Sequence, residues 1–540
     1  MEFMDKYTEE SLDFLYILKR IDVLTPYGKI YRDRIRPYVS GQEEELKEEL
    51  EKVEKILGYL KHRKFYHEIK NILIHVKDLR NSVERAAEGS VLTEIELFEI
   101  KIFVLLIKDL DDFLNKYEVE TWDDIKIERM EELEYLLDPE KTGIPTFYIY
   151  DSYSEELLKI RKEKKGIEKE IKIKKSTLKD KIKKDIGLNF RPDGTITVQR
   201  DDEETVQKLQ AHPYLSRVSE TYLTIKFSVK STEEIVFLDR KLFFIKEKEE
   251  EEEYKIIEML TQKIASNKKK IFRNMASIGK LDFLLGKAHF AEKINGVKPV
   301  ILHEHMILIE EGRHPKVEEN LRERELKFTP VTISIKEGVS CITGANMGGK
   351  TVSLKLVGLL CAMAQYGLFV PAEKMEIGLN NFINASIGDM QSTDRGLSTF
   401  GSEIQMVKEA VKQSKNKGLI LIDELARGTN PEEGFAISKA VVNYLKDKNS
   451  ITLITTHYDN IANMEDIGHL QVVGLSNIDF EKLKITLENY DGTDLINKYM
   501  DYRLIEVKNK KEVPRDALNI ARLMGLDEDI IKEAEKILEL

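Results

Sequence analysis

One stretch decides the fold of this chain, Gly344-Ala345-Asn346-Met347-Gly348-Gly349-Lys350-Thr351, which fits the phosphate-loop pattern G-x-x-x-x-G-K-[ST] without a gap. The short run before it, residues 339–343, is partly β-branched like a buried parallel strand, and the apolar residues after it recur at helical spacing. Glycines let backbone N–H groups and the helix N-terminus approach a phosphate. The stretch therefore predicts a nucleotide site, in which Lys350 reaches the β- and γ-phosphates and the Thr351 hydroxyl binds Mg²⁺.

Two further apolar runs end in polar residues that suit the same chemistry. Residues 418–422 lead into Asp423 and Glu424, and residues 451–456 lead into His457. We expect Asp423 to hold the magnesium ion through its water and Glu424 to polarise the water that attacks the γ-phosphate. His457 would sense the γ-phosphate or position that water, although a structural histidine is the alternative. The three runs predict a parallel sheet flanked by helices.

At this point the motifs resemble those of the MutS family of dimeric ATPases. The likeness is carried by residues 343–351, 423–431 and 455–458. Residues 311–315, Glu-Gly-Arg-His-Pro, resemble the beginning of the family's ATPase domain. Leu397-Ser398-Thr399-Phe400 resembles the family's loop that reaches across the dimer.

The resemblance implies ATP and Mg²⁺ as cofactors and a homodimer with composite ATP sites. Ser398 would contact the γ-phosphate bound to the partner subunit, and it also suits a helix N-cap. Phe328 would stack on the adenine, with a core aromatic as the alternative. The resemblance assigns the predicted C-terminal hairpin to the dimer interface, although such a motif also suits DNA binding.

Composition narrows the class of protein. Of the 540 residues, 34% are charged and 41% are hydrophobic. No apolar run is long enough to cross a membrane and the N-terminus has no signal pattern, so we expect a cytoplasmic protein. The two cysteines predict neither a disulfide framework nor a cysteine metal site. A net charge of -12 is not typical of a nucleic-acid-binding surface.

The hydropathy pattern predicts a multidomain chain. We expect an α-helical core with long helical levers and a small β-rich tip, followed by an α/β P-loop ATPase domain with a C-terminal helical hairpin. The predicted boundaries are 1–158 for the helical core, 159–186 for the outgoing lever helix, 187–246 for the tip, 247–310 for the returning lever and core, 311–498 for the ATPase domain and 499–540 for the hairpin. Residues 195–198, 222–229 and 235–238 are predicted to be strands of the tip.

The outgoing lever is strongly basic. Residues 159–184 contain 13 Lys or Arg against four acids. Five of these lysines are candidates for DNA contact: Lys172, Lys174, Lys175, Lys179 and Lys183. A solvated coiled-coil face is the alternative.

Two hypotheses remain for what the ATPase drives. The first is clamp-like action on DNA, related to mismatch repair or recombination. Phe3-Met4-Asp5 does not fit the family's Phe-x-Glu mismatch wedge, and the chain stops at Leu540, so we expect neither that wedge nor a nuclease. The second is ATP-driven remodelling of a protein partner. Residues 500–507 and 513–526 are similar to MutS-like ATPases that reactivate cobalamin-dependent lysine aminomutases, so that partner would be an aminomutase or an accessory subunit.

Overall fold

The computed structural model describes residues 2–144, 146–344, 349–388, 399–426, 429–474, 501–507, 518, 521–522 and 526–539. The chain forms two compact units. The first contains residues 1–75, 117–125 and 276–540, and the second contains residues 76–116 and 126–275. No helix in the described ranges is both long and apolar enough to span a bilayer.

Most of the regular structure is helical. The helices are α1 (Lys6–Ser11), α2 (Phe14–Lys19), α3 (Pro26–Asp33), α4 (Glu43–Leu60), α5 (Arg63–Leu73), α6 (Arg80–Ala87), α7 (Glu94–Lys116), α8 (Glu131–Leu137), α9 (Glu155–Ile186), α10 (Glu203–Ala211), α11 (Glu233–Ser266), α12 (Lys268–Lys293), α13 (Pro315–Glu323), α14 (Lys350–Gln365), α15 (Thr399–Gln413), α16 (Pro431–Leu445), α17 (Asp459–Ala462) and α18 (Glu528–Glu539). The strands are β1 (Thr195–Gln199), β2 (Leu215–Glu220), β3 (Thr224–Val229), β4 (Val300–Leu302), β5 (Met306–Gly312), β6 (Val331–Lys336), β7 (Gly338–Thr343), β8 (Lys374–Gly378), β9 (Ile383–Ser386), β10 (Leu419–Asp423), β11 (Ile451–Thr455), β12 (Gly468–Gly474) and β13 (Asp501–Glu506).

A six-stranded sheet in the first unit carries the predicted motifs. Its order is β13-β12-β7-β11-β10-β9, in which every neighbouring pair is parallel except β12 with β13. Strands β7 and β11 are buried throughout, as in parallel sheets covered on both faces. Ile420 and Ile422 share a core cluster with side chains of α15 and α16. A Cβ on Gly358 of α14 would lie 2.5 Å from Leu421 Cδ1, so α14 packs closely against the opposite face.

A four-stranded sheet of order β4-β8-β5-β6 belongs to the same unit. Strand β6 alternates buried and exposed residues, which is the pattern of a sheet with one solvated face. The ATPase boundary predicted at residue 311 falls inside β5, so that boundary cuts a strand. The chain is multidomain and largely helical, and its mixed sheets are consistent with an α/β domain, as predicted.

The second unit contains the long helices α9 and α11, which run antiparallel. Arg161 lies 2.7 Å from Glu253 near one end of the pair, and Lys174 lies 2.7 Å from Glu234 near the other. The two helices bury Ile and Leu side chains against each other. Strands β1, β2 and β3 form an antiparallel sheet of order β1-β3-β2.

Two predicted segments have a different structure. Residues 235–238, predicted as a strand, lie in α11, where the Thr232 side chain accepts the N–H of Ile235 as an N-cap. The apolar residues continue at Leu238, Leu242 and Ile245, which is helical spacing, so the strand prediction for residues 235–238 was wrong. Residues 501–506 of the predicted C-terminal hairpin form strand β13. Of the rest of that hairpin, only 507, 518, 521–522 and 526–539 lie within the described residues.

The end of α14 rests on a buried ionic cluster, which we call the Glu49 cluster. The Glu49 carboxylate lies 2.7 Å from Lys280 Nζ and 2.8 Å from Lys287 Nζ. Burial alone would raise the pKa of Glu49, but the two ammonium groups lower it to about 2. Lys287 Nζ also donates to the carbonyl of Tyr366 at 3.3 Å, directly after α14. The cluster therefore joins α4, α12 and the helix that follows the phosphate loop.

Candidate active site

Two glycines of the phosphate-loop motif, Gly344 and Gly349, have positive φ angles, which residues other than glycine rarely adopt. Gly344 has φ +136° and Gly349 has φ +82°. A Cβ on Gly344 would lie 3.0 Å from Val472 Cβ, and one on Gly349 would lie 3.0 Å from the Tyr502 ring. The predicted phosphate-binding residues Ala345, Asn346, Met347 and Gly348 lie outside the described residues, as does Ser398.

Lys350 opens α14 and its ammonium is buried among site residues. Its side chain is 4% exposed, and Nζ donates to the Gly344 carbonyl at 2.8 Å. Nζ also lies 3.3 Å from His457 Nδ1 and 3.6 Å from Glu424 Oε1. The structure therefore brings the three predicted catalytic residues, Lys350, Glu424 and His457, into one group.

Asp423 ends β10 opposite Thr455, the last residue of β11. One carboxylate oxygen, Oδ2, accepts from the Thr351 hydroxyl at 2.9 Å, and the other, Oδ1, accepts from the Thr455 hydroxyl at 2.6 Å. Carboxylate and hydroxyl oxygens are hard ligands of the kind Mg²⁺ prefers. Thr351 and Asp423 therefore fit the predicted metal role, with Thr455 holding the carboxylate in place.

Glu424 turns away from the strand immediately after Asp423. It has φ +52°, and its N–H donates to the Thr455 hydroxyl at 2.9 Å. Its Oε1 lies 2.5 Å from His457 Nε2. The Glu424 side chain is 13% exposed and that of His457 is 42% exposed, so this pair lies at the edge of the site that solvent reaches.

Two aromatic residues differ in how the structure places them. Phe328, predicted to stack on adenine, is half-buried and lies in the segment of the chain that connects α13 to β6. Tyr502, which the sequence analysis did not single out as a site residue, lies on β13 with its ring against Gly349. The pKa of Tyr502 is raised by burial. Sequence alone gave no local signal for it, because only the pairing of β13 with β12 brings it to the phosphate loop.

The five lysines predicted to contact DNA lie on α9, in the second unit, and differ in their surroundings. Lys172 and Lys183 are exposed. Lys174 is paired with Glu234 at 2.7 Å, and Lys175 lies 3.8 Å from Asp239. The Lys179 ammonium lies 5.7 Å from the centre of the Phe190 ring. The structure therefore leaves Lys172 and Lys183 as the best placed of the five.

Comparison with known proteins agrees with these motifs. The family model described as MutS domain V matches residues 340–540. Endonuclease MutS2 of Caldanaerobacter subterraneus subsp. tengcongensis is 29% identical over 91% of this chain and 60% of its own length. Endonuclease MutS2 of Shouchella clausii is 29% identical over 85% of the chain and 56% of its own length. That of Caldicellulosiruptor saccharolyticus is 33% identical over 55% of the chain and 35% of its own length.

The chain thus spans 60% or less of the length of these relatives. All three are named endonuclease MutS2, so they give no support to the aminomutase hypothesis. Domain V covers most of the residues that carry the site, and relatives align along up to 91% of the chain. The resemblance to the MutS family that the motifs indicated is therefore confirmed.

Proposed function

We propose that this chain binds ATP with Mg²⁺ and hydrolyses it at the group formed by Lys350, Glu424 and His457. The observation that carries the proposal is their convergence: Lys350 Nζ lies 3.6 Å from Glu424 Oε1, which lies 2.5 Å from His457 Nε2. A lysine that reaches the phosphates and a side chain that positions the attacking water are recurring parts of sites for phosphoryl transfer.

Each residue has a distinct role in this proposal. Lys350 would neutralise charge on the β- and γ-phosphates, and Glu424 would accept a hydrogen bond from the attacking water. His457 would keep the Glu424 carboxylate oriented through the contact between Nε2 and Oε1. Thr351 and Asp423 would hold the magnesium ion, whose charge stabilises the charge that develops on the phosphates. Tyr502, and Phe328 as the sequence predicts, would flank the nucleotide base.

We further propose a homodimer in which Ser398 of one subunit completes the site of the other. A mixed dimer tests this proposal, with Ser398→Ala in one subunit and Lys350→Ala in its partner. One composite site then contains both intact residues and the other contains neither. We expect about half of the wild-type turnover per dimer, against near-zero turnover in each single-variant homodimer. An inactive mixed dimer would contradict the trans assignment.

The coupled substrate is proposed to be DNA, gripped by clamp-like action of the lever helices. The support is twofold. The relatives are named endonucleases, which act on nucleic acid, and α9 presents Lys172 and Lys183 to solvent. Because each lysine that neutralises a phosphate adds about 0.9 to the slope of log K against log salt, losing both should reduce that slope by roughly 2.

Phosphate release measured with and without duplex, branched and single-stranded DNA tests both parts of the function. Lys350→Ala should abolish ATP binding, whereas Glu424→Ala should keep binding and stall hydrolysis. Equal loss of ATP binding in both variants would contradict these roles. For DNA, the Lys172→Gln/Lys183→Gln variant is compared across a salt series with Lys255→Gln, which changes an exposed lysine of α11. Absence of DNA binding even at low salt would refute the coupling to DNA.

A further inference from the structure

Glu403, in the second turn of α15, makes a contact that the proposed roles do not use. Its Oε1 accepts the backbone N–H of Ala426 at 2.8 Å. The side chain is partly buried, and Ala426 lies two residues after Glu424. The contact therefore joins α15 to the turn that follows the carboxylates of β10.

Two residues of that turn have positive φ angles, a conformation that L-residues rarely adopt. Glu424 has φ +52° and Ala426 has φ +63°. Such conformations persist only when the surrounding structure determines them. Three hydrogen bonds between this backbone and side chains do so: the Glu424 N–H on the Thr455 hydroxyl, the Ser438 hydroxyl on the Leu425 carbonyl at 3.0 Å, and the Ala426 N–H on Glu403. Of these, the contact with Glu403 is made by a helix that begins at Thr399, one residue after Ser398.

We propose that Glu403 is a positioning residue for hydrolysis, which holds the Glu424–Ala426 turn so that the Glu424 carboxylate stays directed at His457. The proposal rests on the proposed ATPase function and deepens it. Because α15 directly follows the loop predicted to reach the partner's nucleotide, Glu403 also links that loop to the hydrolytic carboxylate of its own subunit. Displacement of α15 would break the contact with Ala426 and release the turn.

Hydrogen bonding by Glu403 does not require its charge. Burial raises the pKa of the Glu403 carboxyl, the N–H of Ala426 lowers it, and the nearby Asp423 charge raises it further. A glutamine amide oxygen accepts the same N–H as a carboxylate oxygen does. Glutamine therefore preserves the contact, whereas methionine fills a similar volume and offers only a weak thioether acceptor.

The pair Glu403→Gln and Glu403→Met tests the role in the full chain. We expect Glu403→Met to lower kcat for ATP by about tenfold or more, as loss of a residue that orients a catalytic group does, while ATP affinity changes by less than about twofold. Glu403→Gln should restore kcat to within about threefold of wild type. Gln405→Ala, an exposed position of α15, controls for general effects on the helix. Fluorescent ATP titration, phosphate release and Tm are measured on every variant.

The outcomes separate the two proposals. Wild-type kcat in Glu403→Met would overturn the positioning role, and so would a Glu403→Gln variant as inactive as Glu403→Met at equal Tm. If Glu403→Met fails to fold, Glu403→Ala takes its place in the comparison with Glu403→Gln. Wild-type protein with no more turnover than Lys350→Ala would instead refute the ATPase function itself.

Discussion

Thr455→Val removes one hydroxyl that bonds both the carboxylate of Asp423 and the backbone N–H of Glu424. The Thr455 Oγ1 donates to Asp423 Oδ1 at 2.6 Å and accepts the N–H of Glu424 at 2.9 Å. Valine has nearly the same shape and cannot do either. The same strand offers a matched control in Thr452→Val. Both threonines are fully buried, but the Thr452 hydroxyl finds no hydrogen-bond partner among the described residues.

The expected magnitudes follow from these contacts. A hydrogen bond to a carboxylate contributes about 1.5–3 kcal/mol, and one between neutral groups about 0.5–1.5 kcal/mol. The hydrogen bonding of the Glu424 N–H is partly retained in Thr455→Val, because this N–H also lies 3.2 Å from the Thr455 carbonyl. Thr455→Val should therefore lower the free energy of unfolding by about 2–4 kcal/mol. Thr452→Val, which removes a buried hydroxyl without a partner, should be neutral or stabilise by up to about 1 kcal/mol.

Thermal unfolding and ATP turnover measure the difference. For a unit of this size, a loss of about 2–4 kcal/mol corresponds to a fall in Tm of roughly 3–5 °C in Thr455→Val. Turnover should fall as well, because Asp423 and Glu424 both lose a positioning contact, whereas Thr452→Val should keep wild-type turnover. If the two substitutions shifted Tm equally, the hydrogen bonds of Thr455 would not account for the order of these carboxylates.

Two further predictions concern the phosphate loop and the Glu49 cluster. Gly349 has a φ of +82° and lies against Tyr502, whereas Gly388 has a φ of +96° and nothing within 4 Å of an added Cβ. Backbone strain should lower the free energy of unfolding by about 1–2 kcal/mol in both Gly349→Ala and Gly388→Ala. Only Gly349→Ala should weaken ATP binding in a titration. Glu49→Gln should cost about 3–5 kcal/mol at pH 7, since it leaves two lysines with no carboxylate between them. Because the folded pKa of Glu49 is about 2 and its ordinary value is 4.5, its stabilisation is present above pH 4.5 and is lost as pH falls towards 2. Wild type and Glu49→Gln should therefore converge in urea unfolding at low pH, and a gap that stays constant between pH 7 and pH 3 would contradict the assignment.

The parts of the site that sequence could predict are those in which strand ends and motifs coincide. Asp423, Glu424 and His457 each follow an apolar run, and parallel strands bring their carboxyl ends to one edge, so their convergence with Lys350 was predictable. The direct contact between Thr351 and Asp423 follows from the same geometry.

Residues that act through distant pairing were not predictable. Tyr502 reaches Gly349 only because β13 pairs with β12, whereas the predicted boundaries assigned its segment to the C-terminal helical hairpin. Strand and helix also compete in residues 235–238, where β-branched and aromatic side chains favour a strand locally. The Thr232 cap and the apolar positions facing α9 decide for a helix instead. In the sequence, Glu403 resembles any helical glutamate, because its hydrogen bond with Ala426 forms only in the folded protein.

The position of β13 at the edge of the sheet also orders events during synthesis of the chain. Strand β12 is complete at Gly474, but its partner β13 begins at Asp501, about 27 residues later. At roughly 5–20 residues per second, a ribosome needs on the order of 1–5 s to synthesise those residues. Until then the outer edge of β12 has unpaired N–H and C=O groups, which other strands can bind. The nascent protein therefore has an unpaired edge strand, β12, beside its phosphate loop. Strand β13 both covers that edge and brings Tyr502 to the loop.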